Sequence, residues 1–122
     1  MNISLLGSTG SIGTQCLSVV DMFPDRYSVF ALAAGSNARV FQQQLDKYRP
    51  QFAAMSDAAA AKNIRVPQGC TFFTGADGVR ELAALKQADT VVVAIVGIAG
   101  LDAAYQAACA GKRVALANKE AL

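Results

Sequence analysis

The 122 residues contain no histidine, so no mechanism resting on a histidine base or a histidine metal ligand can be housed in them. Cysteine is scarce: Cys16, Cys70 and Cys109 make an odd count without Cys-x-x-Cys spacing. That pattern excludes a disulfide framework and a zinc site, and the three read as small buried hydrophobes in a reducing cytosol. Charge is scarce as well, with 16% charged residues against 53% hydrophobic, and 11 Lys and Arg against 9 Asp and Glu leave a net +2. A chain this apolar is expected to fold, and without a basic cluster it has no electrostatic footprint for nucleic acid. An apolar run such as Val91 to Val96 is far too short to cross a bilayer, so no membrane association is expected. The N-terminus lacks a basic segment and a cleavage site, which points to a cytoplasmic protein. No carboxylates are clustered with metal-ligand spacing.

What is present is an alternation of strand-like and helix-like segments over a length that fits one domain, residues 1–122. Asn2 to Leu6 reads as a short strand that stops at a glycine. Helical spacing of Cys16, Leu17, Val19 and Val20 runs to about Met22, and Pro24 ends it. Tyr27 to Ala34 reads as a second strand, and Gly35-Ser36-Asn37 as a turn holding a helix cap. The next helix shows Val40, Phe41, Leu45 and Tyr48 on one face and stops before Pro50. Gln51 to Met55 reads as a third strand. A short helix over the alanines from Ala58 and a short strand at Cys70 to Phe73 follow. A helix over Gly78 to Lys86 faces Val79, Leu82 and Leu85 inward. Thr90 to Val96 is β-branched and apolar on both faces, as central parallel strands are. An alanine-rich helix from about Leu101 to Ala110, capped by Gly111, leads to a last strand over Arg113 to Ala117. The expected fold is α/β and Rossmann-like: a doubly wound, mostly parallel sheet with helices on both faces. The strands beginning at Asn2 and Thr90 should be adjacent and central.

The strongest chemical signal is Gly7-Ser8-Thr9-Gly10-Ser11-Ile12-Gly13, placed between the first strand and the first helix. Glycines let a backbone turn tightly and approach a pyrophosphate, and the helix start offers free N–H groups and a positive dipole end. Thr9 and Ser11 add hydroxyl donors. The spacing is GxxGxxG, not the commoner GxGxxG, and a tight strand-to-helix connection with Gly13 packed on the sheet is the plainer alternative. At the end of the second strand, NAD-binding folds usually place an acid on the ribose 2′-hydroxyl. Here the segment reads Ala33-Ala34-Gly35-Ser36-Asn37-Ala38-Arg39, without an acid. Small polar residues followed by an arginine suit a 2′-phosphate, so NADPH is favoured over NADH. Ser36 or Asn37 as a mere helix cap, with Arg39 a solvated charge, is compatible with that reading, because a cap and a phosphate use the same open helix end. Ala94 and Ile95, before the second glycine pair Gly97 and Gly100, should border the cofactor at the carboxyl edge of the sheet, unless they are only a buried strand end and turn. Asn118-Lys119-Glu120 follows the last strand on that edge. Lys119 could meet an anionic substrate there and Glu120 a ribose, or the segment could be a solvated helix start.

Taken together, LLGSTGSIGTQCL, the AGSN turn, AIVGIAGL and ALANKEAL resemble the N-terminal domain of the 1-deoxy-D-xylulose 5-phosphate reductoisomerases along the whole chain. The resemblance implies an NADPH-dependent oxidoreductase that uses a divalent cation, Mg2+ or Mn2+. Such enzymes convert 1-deoxy-D-xylulose 5-phosphate to 2-C-methyl-D-erythritol 4-phosphate in non-mevalonate isoprenoid synthesis. They are typically homodimers, and fosmidomycin inhibits them. It implies that Thr9, Gly10, Ser11 and Ile12 hold the NADPH phosphates and that Gly35, Ser36 and Asn37 surround the 2′-phosphate. It also implies that Asn118 and Glu120 contact the cofactor and that Lys119 reaches the substrate. Many members carry Lys or Arg where Ser36 stands here, and Arg39 is the residue that could take that role. Family members are roughly three times longer, and their metal carboxylates follow the ANKE segment. These residues are therefore expected to be a cofactor domain without activity of its own. A stand-alone nucleotide-sensing module and another GxxGxxG reductase, such as aspartate-semialdehyde dehydrogenase or dihydrodipicolinate reductase, are the alternatives.

Overall fold

The computed structural model describes residues 1–117. Its elements in chain order are β1 (Asn2–Leu6), α1 (Ser11–Met22), β2 (Ser28–Ala34), α2 (Ala38–Tyr48), β3 (Phe52–Met55), α3 (Ala58–Ala61), β4 (Thr71–Thr74), α4 (Gly75–Ala83), β5 (Thr90–Val93), α5 (Gly97–Cys109) and β6 (Arg113–Leu116). The six strands form one sheet in the order β4-β3-β2-β1-β5-β6, and every pairing is parallel. The chain winds outward from β1 to β4 and then returns to lay β5 on the other side of β1. That reversal makes the carboxyl ends of β1 and β5 a topological switch point, where open α/β sheets bind their ligands. β1 and β5 are adjacent and interior, as their sequences require.

Period-two alternation sends β1 into two different cores. Ile3 and Leu5 pack with Leu17, Val20, Phe41 and Leu45 beneath α1 and α2, whereas Leu6 packs with Val79, Leu82, Val93 and Ala103 beneath α4 and α5. Ser4 shares the second face, and its buried hydroxyl donates to the Leu82 carbonyl at 2.8 Å. This satisfies one of the last carbonyls of α4, which have no partner within the helix. Alanines at Ala31, Ala33, Ala53 and Ala54 are fully or almost fully buried, so the helices lie close to the sheet.

Four boundaries around α4, β5 and α5 differ from the sequence expectation. α4 begins at Gly75 and ends at Ala83, so Gly78 is inside the helix and Leu85 beyond it. Gly78 is a contact point: a Cβ there would lie 2.6 Å from the Phe73 side chain. β5 ends at Val93 and α5 starts at Gly97, four residues earlier than the spacing suggested. Gly100 is not part of a turn; a Cβ on it would lie 2.1 Å from the Ile95 carbonyl, so glycine here lets the first turn of the helix sit on the strand end. The cysteines also need correction. Cys16 and Cys70 are partly buried, but Cys109 is exposed. α5 buries Gly100, Ala103 and Ala107, and Cys109, about 200° around the helix from Ala107, faces outward.

Candidate cofactor site

The glycine loop joins β1 to α1 at the switch point. The N–H groups of Gly7 and Ser8 both donate to the Ala33 carbonyl, at 2.8 and 2.9 Å, tying the loop to the end of β2. Two of the three glycines are demanded by this packing. Gly7 has φ +93°, and a Cβ would lie 2.5 Å from the Ala94 carbonyl; a Cβ on Gly13 would lie 2.0 Å from the Gly7 carbonyl. Gly10 is different. It caps α1 with φ −76° and ψ 174°, a conformation open to any residue, and the nearest atom to a Cβ on it is the Gly7 carbonyl oxygen at 3.8 Å. The fold leaves free space there.

That space lies over an uncapped helix end. α1 has no side-chain cap and no acidic residue in its first turn, and its leading N–H groups have no intrahelical acceptor. Ser11 and Ile12 are exposed, and among the described residues the hydroxyls of Thr9 and Ser11 have no hydrogen-bond partner.

The second station is the start of α2, where Gly35, Ser36 and Asn37 are exposed. Asn37 is the cap, its Oδ1 accepting from the Val40 N–H at 3.2 Å, and its amide nitrogen stays available. Ser36 takes no part in capping through its side chain, so of the two cap candidates the structure selects Asn37. Arg39 is exposed and forms no ion pair with a described residue. Asp57 comes near through its backbone, its N–H donating to the Gly35 carbonyl at 3.1 Å. Its carboxylate is engaged in capping α3 through the N–H groups of Ala59 and Ala60, at 2.9 and 3.1 Å.

Between the stations opens a cavity of about 460 Å³, lined by Gly7, Gly35, Ser56, Arg80, Ile95 and Ile98 among others. Arg80 is held at its rim by Asp102, Nε to Oδ2 3.2 Å. Ala94 follows β5, its N–H donating to the Leu6 carbonyl at 2.8 Å, and its carbonyl and the Ile95 nitrogen lie against Gly7, so both residues border the glycine loop. A second cavity of about 440 Å³, among Asn2, Ser28, Lys47 and Arg49, lies at the opposite edge of the sheet and holds none of the sequence-marked residues. The carboxyl edge thus gathers Gly7, Thr9 to Ile12, Gly35 to Asn37, Ala94 and Ile95, with Arg39 in the first turn of α2. Asn118, Lys119 and Glu120 fall outside the described residues. Ala117 donates to the Val93 carbonyl at 2.9 Å, which brings the end of the described chain to this same edge. Among the described residues no group of three or more His, Cys, Asp or Glu could hold a metal ion, and no helix is long and apolar enough to cross a membrane.

Sequence reasoning missed one pair. Ser8 is fully buried; its hydroxyl donates to Gln44 Oε1 at 2.7 Å, and Gln44 Nε2 donates back to the Ser8 carbonyl at 2.8 Å. The available signal was a glutamine inside the apolar stripe of α2, where Phe41, Gln44 and Leu45 are the buried residues.

The family model for 1-deoxy-D-xylulose 5-phosphate reductoisomerase matches residues 3–122. Enzymes of that name from Photorhabdus laumondii and Proteus mirabilis are each 46% identical over 98% of this chain. The chain spans 31% and 32% of their lengths, about a third. Among solved structures, the reductoisomerase from Zymomonas mobilis in complex with NADPH superposes with a TM-score of 0.89 at 35% identity, over 99% of this chain and 32% of that one. A DOX-P reductoisomerase in complex with NADPH, fosmidomycin and magnesium gives 0.88 at 34% identity, over 100% of this chain and 31% of that one. The match runs through the glycine loop and the whole parallel sheet described above. The chain belongs to the 1-deoxy-D-xylulose 5-phosphate reductoisomerase family.

Proposed function

We propose that residues 1–122 form the NADPH-binding part of a 1-deoxy-D-xylulose 5-phosphate reductoisomerase. The observation that carries this reading is the open space at Gly10, above the uncapped start of α1 and beside the switch point. A glycine that packing does not require, in front of free N–H donors, suits close approach by a pyrophosphate. Thr9, Gly10, Ser11 and Ile12 would hold that group through backbone N–H and hydroxyl donors. Gly35, Ser36 and Asn37 would surround the 2′-phosphate, with Arg39 supplying the charge that other members place at the Ser36 position. The cavity between them, walled by Ile95 and Ile98, suits the adenine ring. NADPH supplies a hydride when bound; the role of this chain is to bind it, fix its orientation and shield its adenosine half from water.

On the family resemblance, Asn118 and Glu120 also contact the cofactor, and Lys119 meets the phosphorylated sugar 1-deoxy-D-xylulose 5-phosphate. Among the described residues no cluster could hold the divalent cation, and its ligands are proposed to lie in other parts of such an enzyme. The enzyme is proposed to work in the cytoplasm as a homodimer, in non-mevalonate isoprenoid synthesis. Residues 1–122 by themselves are proposed to bind NADPH weakly and to turn over nothing.

Titration calorimetry with NADPH and NADH, followed by an absorbance assay with 1-deoxy-D-xylulose 5-phosphate and magnesium, tests the reading. NADPH should bind more tightly, and NADPH oxidation should be absent for residues 1–122 alone. Absence of NADPH binding by the full-length protein would refute the cofactor assignment. Metal-dependent NADPH oxidation by residues 1–122 would show that the active site lies elsewhere than proposed.

A further inference from the structure

We infer that Gln44 is a positioning residue that sets the orientation of the Ser8–Thr9 peptide, and through it the anion-binding face of the glycine loop. The inference rests on the cofactor reading above and assigns a part of that site to a side chain outside the glycine motif. Gln44 lies on α2, 36 residues from Ser8, and is 7% exposed within the helix face that buries Phe41 and Leu45. A polar amide in such a place is unfavourable unless its hydrogen bonds are made, and a leucine or methionine would fill the same volume without that requirement. The core therefore does not call for glutamine; the loop does.

One amide binds both polar groups of Ser8. Oε1 accepts from the hydroxyl at 2.7 Å and Nε2 donates to the carbonyl at 2.8 Å. The carbonyl bond carries the consequence. A trans peptide is planar, with its C=O and N–H directed to opposite sides. Drawing the Ser8 carbonyl toward α2 turns the Thr9 N–H the other way. That N–H donates to no described residue, so it is available to an anion. Gln44 also sits two turns along the helix whose start carries Gly35, Ser36 and Asn37, so a single rigid element sets the loop and the 2′-phosphate station in fixed relation.

The test uses the protein in its full natural length, with three probes: NADPH, NADH and adenosine 2′-monophosphate. The last carries the 2′-phosphate but no pyrophosphate. Gln44→Met keeps the volume and removes the donor. It should weaken NADPH and NADH by the same factor, about tenfold, the loss of one neutral hydrogen bond aimed at an anion site, and leave adenosine 2′-monophosphate unchanged. At saturating cofactor kcat should hold while the KM for NADPH rises. Ser8→Ala removes the hydroxyl but keeps the carbonyl bond. It should lower the melting temperature comparably, because a buried amide oxygen loses its donor, yet change cofactor affinity less than threefold. Gln44→Glu, which accepts from the hydroxyl but cannot donate when ionised, should reproduce the affinity loss and serves if the methionine variant does not fold. Equal weakening of all three probes, an unchanged NADPH affinity in both Gln44 variants, or a loss in Ser8→Ala as large as in Gln44→Met would overturn the inference. Failure of the parent protein to bind NADPH would overturn the reading beneath it, and the inference with it.

Discussion

Substituting the loop glycines one at a time should separate folding from binding. Gly10→Val places a side chain in free space, with its Cβ 3.8 Å from the nearest atom and at backbone angles a β-branched residue accepts. Replacing glycine at a compatible position stabilises by about 0.4–1 kcal/mol through the unfolded chain. Losing glycine at a helix cap costs about the same, so stability should stay within about 1 kcal/mol of the parent. The two methyl groups fill the space assigned to the pyrophosphate, so NADPH affinity should fall at least about a hundredfold, or roughly 2.7 kcal/mol. Gly13→Ala is the opposite case. Its Cβ would meet the Gly7 carbonyl at 2.0 Å and the Ser8 Cα at 2.8 Å, both backbone atoms in a segment locked to Ala33. Overpacking of this kind costs about 1–3 kcal/mol where side chains can move and more where they cannot, against a total of about 5–15 kcal/mol for a domain. Urea denaturation gives the stabilities and calorimetric titration the affinities. A folded Gly10→Val protein that binds NADPH as well as the parent would refute the phosphate assignment. A Gly13→Ala protein as stable as the parent would refute the packing argument.

Other perturbations have equally definite outcomes. Arg39→Ala should cost roughly ten- to a hundredfold in NADPH affinity, the value of a charged contact of about 1.5–3 kcal/mol, and leave NADH unchanged; competitive titration reads both, and an equal loss for NADH would remove Arg39 from the 2′-phosphate. Asp21 joins α1 to α2 through Lys47 Nζ and the Tyr48 hydroxyl, both at 2.9 Å, and the hydrogen bond from Lys47 leads the causes that hold its carboxyl below 3.8. A depressed carboxylate stabilises above its unfolded pKa and loses that contribution as pH falls through the folded one. Asp21→Asn should therefore lower the melting temperature slightly at neutral pH, where solvent screens this exposed pair, and the gap to the parent should close below pH 3.8; a gap that widens in acid would contradict the sign. Burial pushes the Cys16 and Cys70 thiols above 9.0 while Cys109 is exposed, so iodoacetamide should label Cys109 about tenfold faster or more, as peptide mapping by mass spectrometry would show.

The strands were legible because their chemistry is local. β-branched and apolar runs at Asn2 to Leu6 and around Thr90, each cut off by glycine, mark buried parallel strands whatever lies beside them, and Pro24 and Pro50 mark helix limits on their own. The starts of α4 and α5 were not legible, because a glycine has two readings that sequence cannot separate. Gly78 was read as the start of its helix and Gly100 as part of the turn before the next one, the usual meanings of glycine at the edge of periodic segments. Both are sites where a helix touches a strand end, and that reading becomes visible only when Phe73 and the Ile95 carbonyl are in place. The same ambiguity misplaced the end of β5, since Ala94 to Val96 is as apolar as the strand it follows.

The site divides in the same way. The groups proposed to act through the backbone of a contiguous motif, the GSTGSIG loop, the AGSN turn and the edge at Ala94 and Ile95, need only their neighbours in sequence to be placed together at the carboxyl edge. What holds the loop in shape was not, because it comes from 36 residues away and from the wrong kind of position, a core face. Gln44 looked like one of three glutamines in a polar run, Gln42-Gln43-Gln44. Only the phase of α2, set by Phe41 and Leu45, turns the third of them inward while Gln43 stays exposed. Gln42, two positions earlier, ties α2 to a different segment, accepting from the Arg65 N–H at 2.7 Å, so even identical residues in one run serve different parts of the fold. A polar side chain at a predicted core phase is therefore the signal to follow in such sequences: it marks where a distant backbone group needs a partner. In this chain that partner belongs to the loop on which cofactor binding is proposed to depend.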